Sequence, residues 1–425
     1  MSRDVAATSG VVGAFLWNAS SEGLTQTPYD IGMRILIAPD KFKGTLNARE
    51  VAQNIATGIL DVLPDAQIEV VPMADGGEGT AEAVCDARGC SWLECKAHDP
   101  LGREIDARYG WIDQEKLAVM EMSEAAGMRR LSEGERDPIR ASTFGVGEMI
   151  LDATKRGANE IIIGLGGSAT NDGGFGMACA LGFRFSDGER ELSGAVMELT
   201  KLTKIILPEK VVGSLLSSAQ PEGRRLAQPP LQRASPKIIA AVDVKNPLLG
   251  ESGATRVFGP QKGATENDIE NLERALTRVA DVAATEFGFD YRDVPGAGAA
   301  GGLGFGLLSF CGAQIRPGFE VVAEAVGLEA KMKDADLVIT GEGSLDRQTL
   351  EGKTPAGVAW LARKFGKPVF AIVGRTTEDR ELREVFDGIY ENARPGMSEK
   401  ENMNHAAEFL RENARELTET FGVGL

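Results

Sequence analysis

Strand-like and helix-like segments alternate at both ends of this chain but not in its middle, and that pattern constrains the fold more than any other feature. Residues 33–38 form an aliphatic run halted by Pro39 and Asp40, and Asn47 with Glu50 three residues on is a capping pattern for a helix through Leu60. Residues 66–73 read as a second strand, ending in Asp75-Gly76-Gly77-Glu78. The rhythm returns late in the chain, with strands over 336–340 and 368–373 on either side of a helix from about Pro355. Strands alternating with helices build parallel sheets. Between these ends, residues 103–111 and 116–122 flank a polar turn and alternate as a hairpin does, while periodicity predicts helices over 142–156 and 266–287. The chain therefore reads as an α/β protein whose first, parallel-sheet domain, residues 33–78 and 296–425, is interrupted by a second mixed α/β domain over 79–295. Residues 1–32 lack this order and read as a disordered extension, and 217–236, with Pro221, Pro229 and Pro230, as a surface loop.

Charge narrows the function. The chain has 425 residues and 63 Asp plus Glu against 46 Lys plus Arg, a net charge of −17 that argues against nucleic acid or anionic lipid as partner. An anionic ligand must then be held by local geometry. No run of 18 apolar residues is present, so nothing is expected to span a membrane, and the apolar stretch near residues 11–17 is too weakly flanked by basic residues for a signal peptide. Five cysteines make an odd number for a disulfide framework, and Cys85, Cys90 and Cys95 match no common zinc or cluster spacing. They read as reduced packing residues of a cytoplasmic protein.

The loop after the apolar stretch 160–164 combines Gly164, Gly166, Gly167, Gly173 and Gly174 with Ser168, Thr170, Asn171 and Asp172. Glycine lets main-chain N–H groups approach an anion, and the hydroxyls with Asp172 can orient phosphate oxygens and a hard cation, so the loop reads as a phosphate site. Asp40, Asp75, Asp172, Asp243 and Glu342 each follow an apolar run directly or within a short glycine-rich turn, where open α/β sheets bind their ligands. The structural alternative for any one of them is a helix cap. Lys41 and Lys43 beside Asp40, Lys262 beside Gly263, and Lys353 add cations suited to phosphate or carboxylate. Only His98 and His405 exist, neither beside a glycine loop, so proton handling falls to a carboxylate or a bound metal. Phosphoryl transfer tolerates that, because its work is mostly positioning and charge neutralisation.

Two other classes compete with this reading. Gly164, Gly166 and Ala169, with Asp187 downstream, fit a dinucleotide fingerprint, as do Gly296, Gly298 and Gly301, which would suit an NAD(P)-dependent oxidoreductase of a small hydroxy acid. Against it, Gly173 and Gly174 fall where the first helical turns should be, at about 1 kcal/mol each, and the second match lacks a clean preceding strand. A non-catalytic small-molecule-binding regulator is the third class, and the number of loop carboxylates argues against it.

Seven blocks in order, residues 34–44, 72–80, 164–174, 243–248, 258–264, 296–304 and 340–346, resemble the bacterial glycerate kinase family over nearly everything after Met33. The resemblance implies ATP-dependent phosphorylation of D-glycerate with Mg2+, usually to 2-phosphoglycerate. It also implies a flavodoxin-like domain interrupted by a second α/β domain, with the site between them. On this reading Asp172, Asp75, Lys41 and Lys43 are the expected catalytic residues, and Asp40, Gly76, Gly77, Glu78, Asp243, Asn246 and Lys262 contact the substrate. Gly164, Gly166, Gly167, Ser168, Thr170, Asn171, Gly173, Gly174, Gly301 and Gly302 are expected to hold nucleotide, and Asp172, Glu342 and Asp346 the metal. Which carboxylate is base and which binds metal stays open, as do the 2- or 3-phosphate product and any homo-oligomer.

Overall fold

The computed structural model describes residues 32–208, 236–377 and 379–422, so all but the last residue of the N-terminal extension and of the 217–236 loop lie outside the described residues. In chain order the strands are β1 (Arg34–Ile37), β2 (Gln67–Val70), β3 (Ser91–His98), β4 (Glu104–Ile112), β5 (Leu117–Glu121), β6 (Glu160–Gly164), β7 (Arg184–Ser186) and β8 (Lys204–Ile206). Then follow β9 (Lys237–Val242), β10 (Gln314–Pro317), β11 (Leu337–Thr340), β12 (Ser344–Leu345), β13 (Val369–Val373), β14 (Arg375–Thr376) and β15 (Gly388–Glu391). The elements start where local chemistry starts them. Helix Ala48–Leu60 opens on a reciprocal cap, in which Glu50 N donates to Asn47 Oδ1 at 2.8 Å and Asn47 N donates to Glu50 Oε2 at 2.9 Å. The expected hairpin is β4 paired antiparallel with β5, and the expected long helix is Glu266–Phe287, capped by Thr265.

Two sheets organise the molecule. The first runs β15-β13-β11-β1-β2 with every pairing parallel, the flavodoxin-like order, whose topological switch point lies between β1 and β11. The second runs β10-β9-β6-β5-β4-β3, parallel as far as β5 and antiparallel beyond it. Helices Ala48–Leu60 and Ala406–Gly422 cover one face of the first sheet, where Ile55 and Leu410 meet Ile35 and Ile339. Helices Thr80–Arg88 and Gly318–Ala325 lie between the sheets: Ala83 and Val322 pack toward the first, and Ala81, Val84 and Val321 toward Val119, Ile162 and Ile239 of the second. The far face of the second sheet carries the largest core, with Phe175 edge-on to Phe185 at 4.6 Å.

One boundary differs from the sequence reading. Helix Ala299–Cys311 and β10 fall in the segment expected to belong to the first domain, yet Leu303, Phe305 and Phe310 sit in the second sheet's core and β10 pairs with β9. The glycines of this segment serve close packing: a Cβ on Gly301, whose φ is +66°, would lie 2.0 Å from the Thr170 carbonyl oxygen. First-sheet pairing resumes only at β11, and the chain leaves the second sheet at Pro317–Gly318. There the two crossings touch, since a Cβ on Gly318 would stand 1.8 Å from the Asp75 carbonyl oxygen. Among the described residues no helix is long and apolar enough to cross a membrane.

Candidate active site

The carboxyl ends of the parallel strands in both sheets open onto one cleft. Asp40, Lys41 and Lys43 follow β1, Asp75, Gly77 and Glu78 follow β2, and Glu342 and Gly343 follow β11; from the second sheet come Ser123 after β5, Gly166 and Gly167 after β6, and Asp243 after β9, while Gly76 packs against the Ala241 backbone instead. The cavity they enclose is about 720 Å³, and a second chamber of about 520 Å³ shares Asp40, Lys41, Lys43, Glu78 and Arg129 with it. These are the ends at which parallel sheets bind ligands.

Asp40 is almost fully buried and accepts from Lys41 N at 2.7 Å and Thr354 Oγ1 at 2.8 Å. Burial first, and then the charge of Asp75, push its carboxyl up to about 7, against the opposing pull of Lys41 and the two hydrogen bonds. Glu342 accepts from Thr349 Oγ1 at 2.6 Å and is likewise pushed by burial up to about 7, with Lys353 opposing and Asp40 and Asp75 adding to the rise. Asp243 opens onto the cleft solvent, but the protein around it, and again Asp75, raise it to about 6. Screening by that solvent makes its rise matter less than that of Asp40. Asp75 is thus within electrostatic reach of all three. A cavity floor of mutually repelling carboxylates is a place where a cation, or a positively charged group on a ligand, is favoured.

Cations stand opposite. Lys41 Nζ donates to the Glu78 carbonyl, and Lys43, Lys353 and Arg375 line the wall. Sequence reasoning missed Arg129, which reaches the cleft from the turn Met128–Arg130. Its Nε donates to the Ser123 carbonyl at 3.0 Å and its guanidinium pairs with Glu124 at 2.6 Å, standing 3.9 Å from Glu78. No motif marks it; the signal available was a pair of arginines in a turn soon after a strand. Glu121, buried at the end of β5, accepts from Gly79 N at 2.9 Å and Ala81 N at 3.1 Å and so ties the second sheet to the start of helix Thr80–Arg88.

Several expected site residues lie elsewhere. Asp172 is 2% exposed and does not line the cleft; it accepts from Thr143 N and Oγ1, Gly174 N and Gly176 N, all within 3.1 Å. Lys262 is buried too, donating to the Thr170 carbonyl at 2.8 Å, and burial pushes its amine down to about 7. Asn171 donates to Thr255 Oγ1 at 2.9 Å and Asn246 to the Ser252 carbonyl at 2.7 Å. Ser168 and Thr170 are buried, and Gly173, Gly174, Gly301 and Gly302 pack backbone against backbone: a Cβ on Gly174 would lie 2.8 Å from Gly306 Cα, and one on Gly302 2.9 Å from Gly173 Cα. Gly164 faces the Gly76 carbonyl, 2.7 Å from where its Cβ would be. Of the 164–174 loop, Gly166 and Gly167 alone line the cleft. Main chains cross at the loop's glycines, which leave no room for a Cβ at Gly164, Gly174 or Gly302. Asp40, Lys41, Lys43, Asp75, Gly77, Glu78, Asp243, Glu342 and Asp346 are brought together. Among the described residues no three His, Cys, Asp or Glu converge closely enough to hold a metal ion by themselves.

A sequence profile of the glycerate kinase family matches residues 35–422. The chain is 40% identical over 389 residues to the glycerate kinase of Halalkalibacterium halodurans, spanning 90% of this chain and 97% of that protein. It is 43% identical over 348 residues to the glycerate 2-kinase of Escherichia coli K12, spanning 82% and 86%. A crystal structure from Salmonella typhimurium LT2, of a protein described as a candidate glycerate kinase 2, matches with a TM-score of 0.78 at 40% identity, over 92% of this chain and 99% of that one.

Proposed function

From the premise that this chain belongs to the glycerate kinase family, we propose that it transfers the γ-phosphoryl group of ATP to the 2-hydroxyl of D-glycerate, with Mg2+, in the cytoplasm. The observation that carries this reading is the cleft in which Asp40, Asp75, Asp243 and Glu342 face Lys41, Lys43 and Arg129 where the parallel strands of two sheets end. The Escherichia coli relative, named a glycerate 2-kinase, supports the 2-phosphate product.

Asp75 is the base. It is partly open to the cleft and central to the other carboxylates, so a hydroxyl placed beside it can give up its proton as the phosphoryl group arrives. Lys41, Lys43 and Arg129 hold the glycerate carboxylate and the migrating phosphoryl group, a division suited to flexible ammonium groups and a fixed guanidinium fork. Glu342 and Asp346 would hold Mg2+ together with the phosphates of the nucleotide, and the ion would neutralise phosphate charge. Asp172 and Lys262 hold the backbone behind Gly166 and Gly167, and Asp40 positions Lys41 through its main-chain N–H. The domains divide by sheet, residues 33–78 and 318–422 against 79–317.

Purified protein should release ADP only when D-glycerate and Mg2+ are both present, and phosphorus NMR should place the new phosphate on C2. Asp75→Asn should lower turnover on the order of 10²-fold or more without lowering the melting temperature. Tight NADH binding with no glycerate-dependent ADP release would favour the dehydrogenase reading instead.

A further inference from the structure

We propose that the purine ring of the nucleotide lies against Met403 and Ala406 at the β13–β15 end of the cleft, on a wall that does not read the hydrogen-bonding edge of the base. The proposal rests on the kinase reading above. A cavity of about 720 Å³ is far larger than a three-carbon acid requires, and it is chemically lopsided. The charged groups gather around the ends of β1, β2 and β11, whereas Gly374, Ala393, Met403 and Ala406 form an apolar flank beyond β13 and β15. Glycerate, a small polar anion, gains nothing from such a flank. A purine gains its whole face.

Met403 is 37% exposed and projects from helix Glu399–Asn404. A Cβ on Gly44 would lie 3.3 Å from its Cε, so it reaches the same turn that carries Lys41 and Lys43. The apolar flank and the phosphate-facing lysines are therefore contiguous. An unbranched thioether adapts well to the face of an aromatic ring.

The polar groups of this flank are already engaged. Asn392 donates to the Ala406 carbonyl at 3.2 Å and accepts from Asn413 at 2.8 Å. Asn402 donates to the Ser398 carbonyl at 3.2 Å and accepts from Arg394 N at 2.9 Å. The backbone N–H groups of Gly374, Asn392 and Ala393 donate to the carbonyls of Glu342, Val373 and Gly374 at 3.0, 2.8 and 3.0 Å. Arg375 remains, with a side chain 63% exposed and held to Glu399 at 3.4 Å. Its guanidinium can stack on any base without distinguishing one from another. Sites with buried polar groups aimed at a ligand reject the wrong one by roughly 10⁴ to 10⁵, whereas apolar pockets separate near-isosteres by about 10² or less.

The test is steady-state kinetics of the full chain with ATP, GTP and ITP at saturating D-glycerate, repeated for Met403→Glu and Arg375→Ala, with calorimetric binding of ADP and GDP alongside. We expect kcat/KM to agree within about tenfold across the three nucleotides. Met403→Glu should raise the nucleotide KM at least tenfold and leave the glycerate KM within about twofold, and Arg375→Ala should act in the same direction more weakly. A preference for ATP over GTP above about 10² would overturn the unread base, and an unchanged nucleotide KM in Met403→Glu would overturn its location. Should the protein fail to phosphorylate glycerate at all, the kinase reading falls, but comparable ADP and GDP binding that Met403→Glu abolishes would still place the base on this wall, and binding unaffected by that substitution would remove it.

Discussion

Replacing Asp172 by Asn distinguishes a catalytic carboxylate from an interior pin, because the two roles predict opposite changes in stability and turnover. Asp172 Oδ1 accepts from Thr143 Oγ1 and Gly174 N, both at 3.1 Å, and Oδ2 accepts from Thr143 N at 2.9 Å and Gly176 N at 3.1 Å. An amide has one acceptor oxygen, so one rotamer sets its NH2 against Gly174 N and the other against both Thr143 N and Gly176 N. The first is the cheaper, leaving one buried N–H unpaired at about 1–3 kcal/mol. The surviving bonds lose their charge assistance, roughly 1 kcal/mol more. Burial raises the pKa of Asp172, so the neutral amide recovers part of this through lower desolvation cost. The balance is about 2 kcal/mol of lost stability, or a fall of about 2–3 °C in melting temperature for a chain of this size, whose unfolding entropy at roughly 2.1 cal/mol/K per residue is large. Turnover at 25 °C should stay within about threefold and both KM values within twofold, since Asp172 does not line the cleft. Scanning calorimetry paired with a coupled ADP-release assay measures both. A 10²-fold loss of kcat with an unchanged melting temperature would refute the reasoning and return Asp172 to the chemistry.

Two further outcomes follow from the same geometry. Asp40 and Glu342 keep protons in the folded state up to about 7 that they lose near 3.8 and 4.5 when unfolded, so ligand-free stability should fall as pH rises from about 4 to about 7. Lys262 loses its proton near 7 when folded and near 10.5 when unfolded, so its contribution rises with pH above 7. Urea midpoints should therefore pass through a minimum near pH 7, with Lys262→Met flattening the alkaline limb; midpoints that climb steadily from pH 5 to 9 would contradict these assignments. Gly318→Ala sets a methyl 1.8 Å from the Asp75 carbonyl oxygen and 2.5 Å from Gly76 Cα, both main-chain atoms that cannot swing away. It should cost at least about 2 kcal/mol and raise the glycerate KM by displacing Asp75; a variant as stable and active as the parent would show that the crossings are not in contact.

Much of this protein is written in short stretches of its sequence. Helix Glu266–Phe287 was legible because its apolar period is a property of neighbouring residues. Asp40, Asp75, Asp243 and Glu342 were legible for a related reason: where a strand ends is a one-dimensional fact, and parallel sheets bind ligands at that end. The flavodoxin-like order itself followed from the family resemblance. Tertiary structure decided the rest. The composition of the 164–174 loop does not reveal that residues 301–306 pack main chain to main chain against it. The same packing drew helix Ala299–Cys311 and β10 into the second sheet's core and sent Asp172 and Lys262 inside. Arg129 and Met403 face the cleft through contacts with Ser123, Glu124 and Gly44 that no local signal announces. Period and capping arise from hydrogen bonds and burial within a few residues, whereas the side of a backbone that meets solvent is set by whichever distant segment occupies the other side.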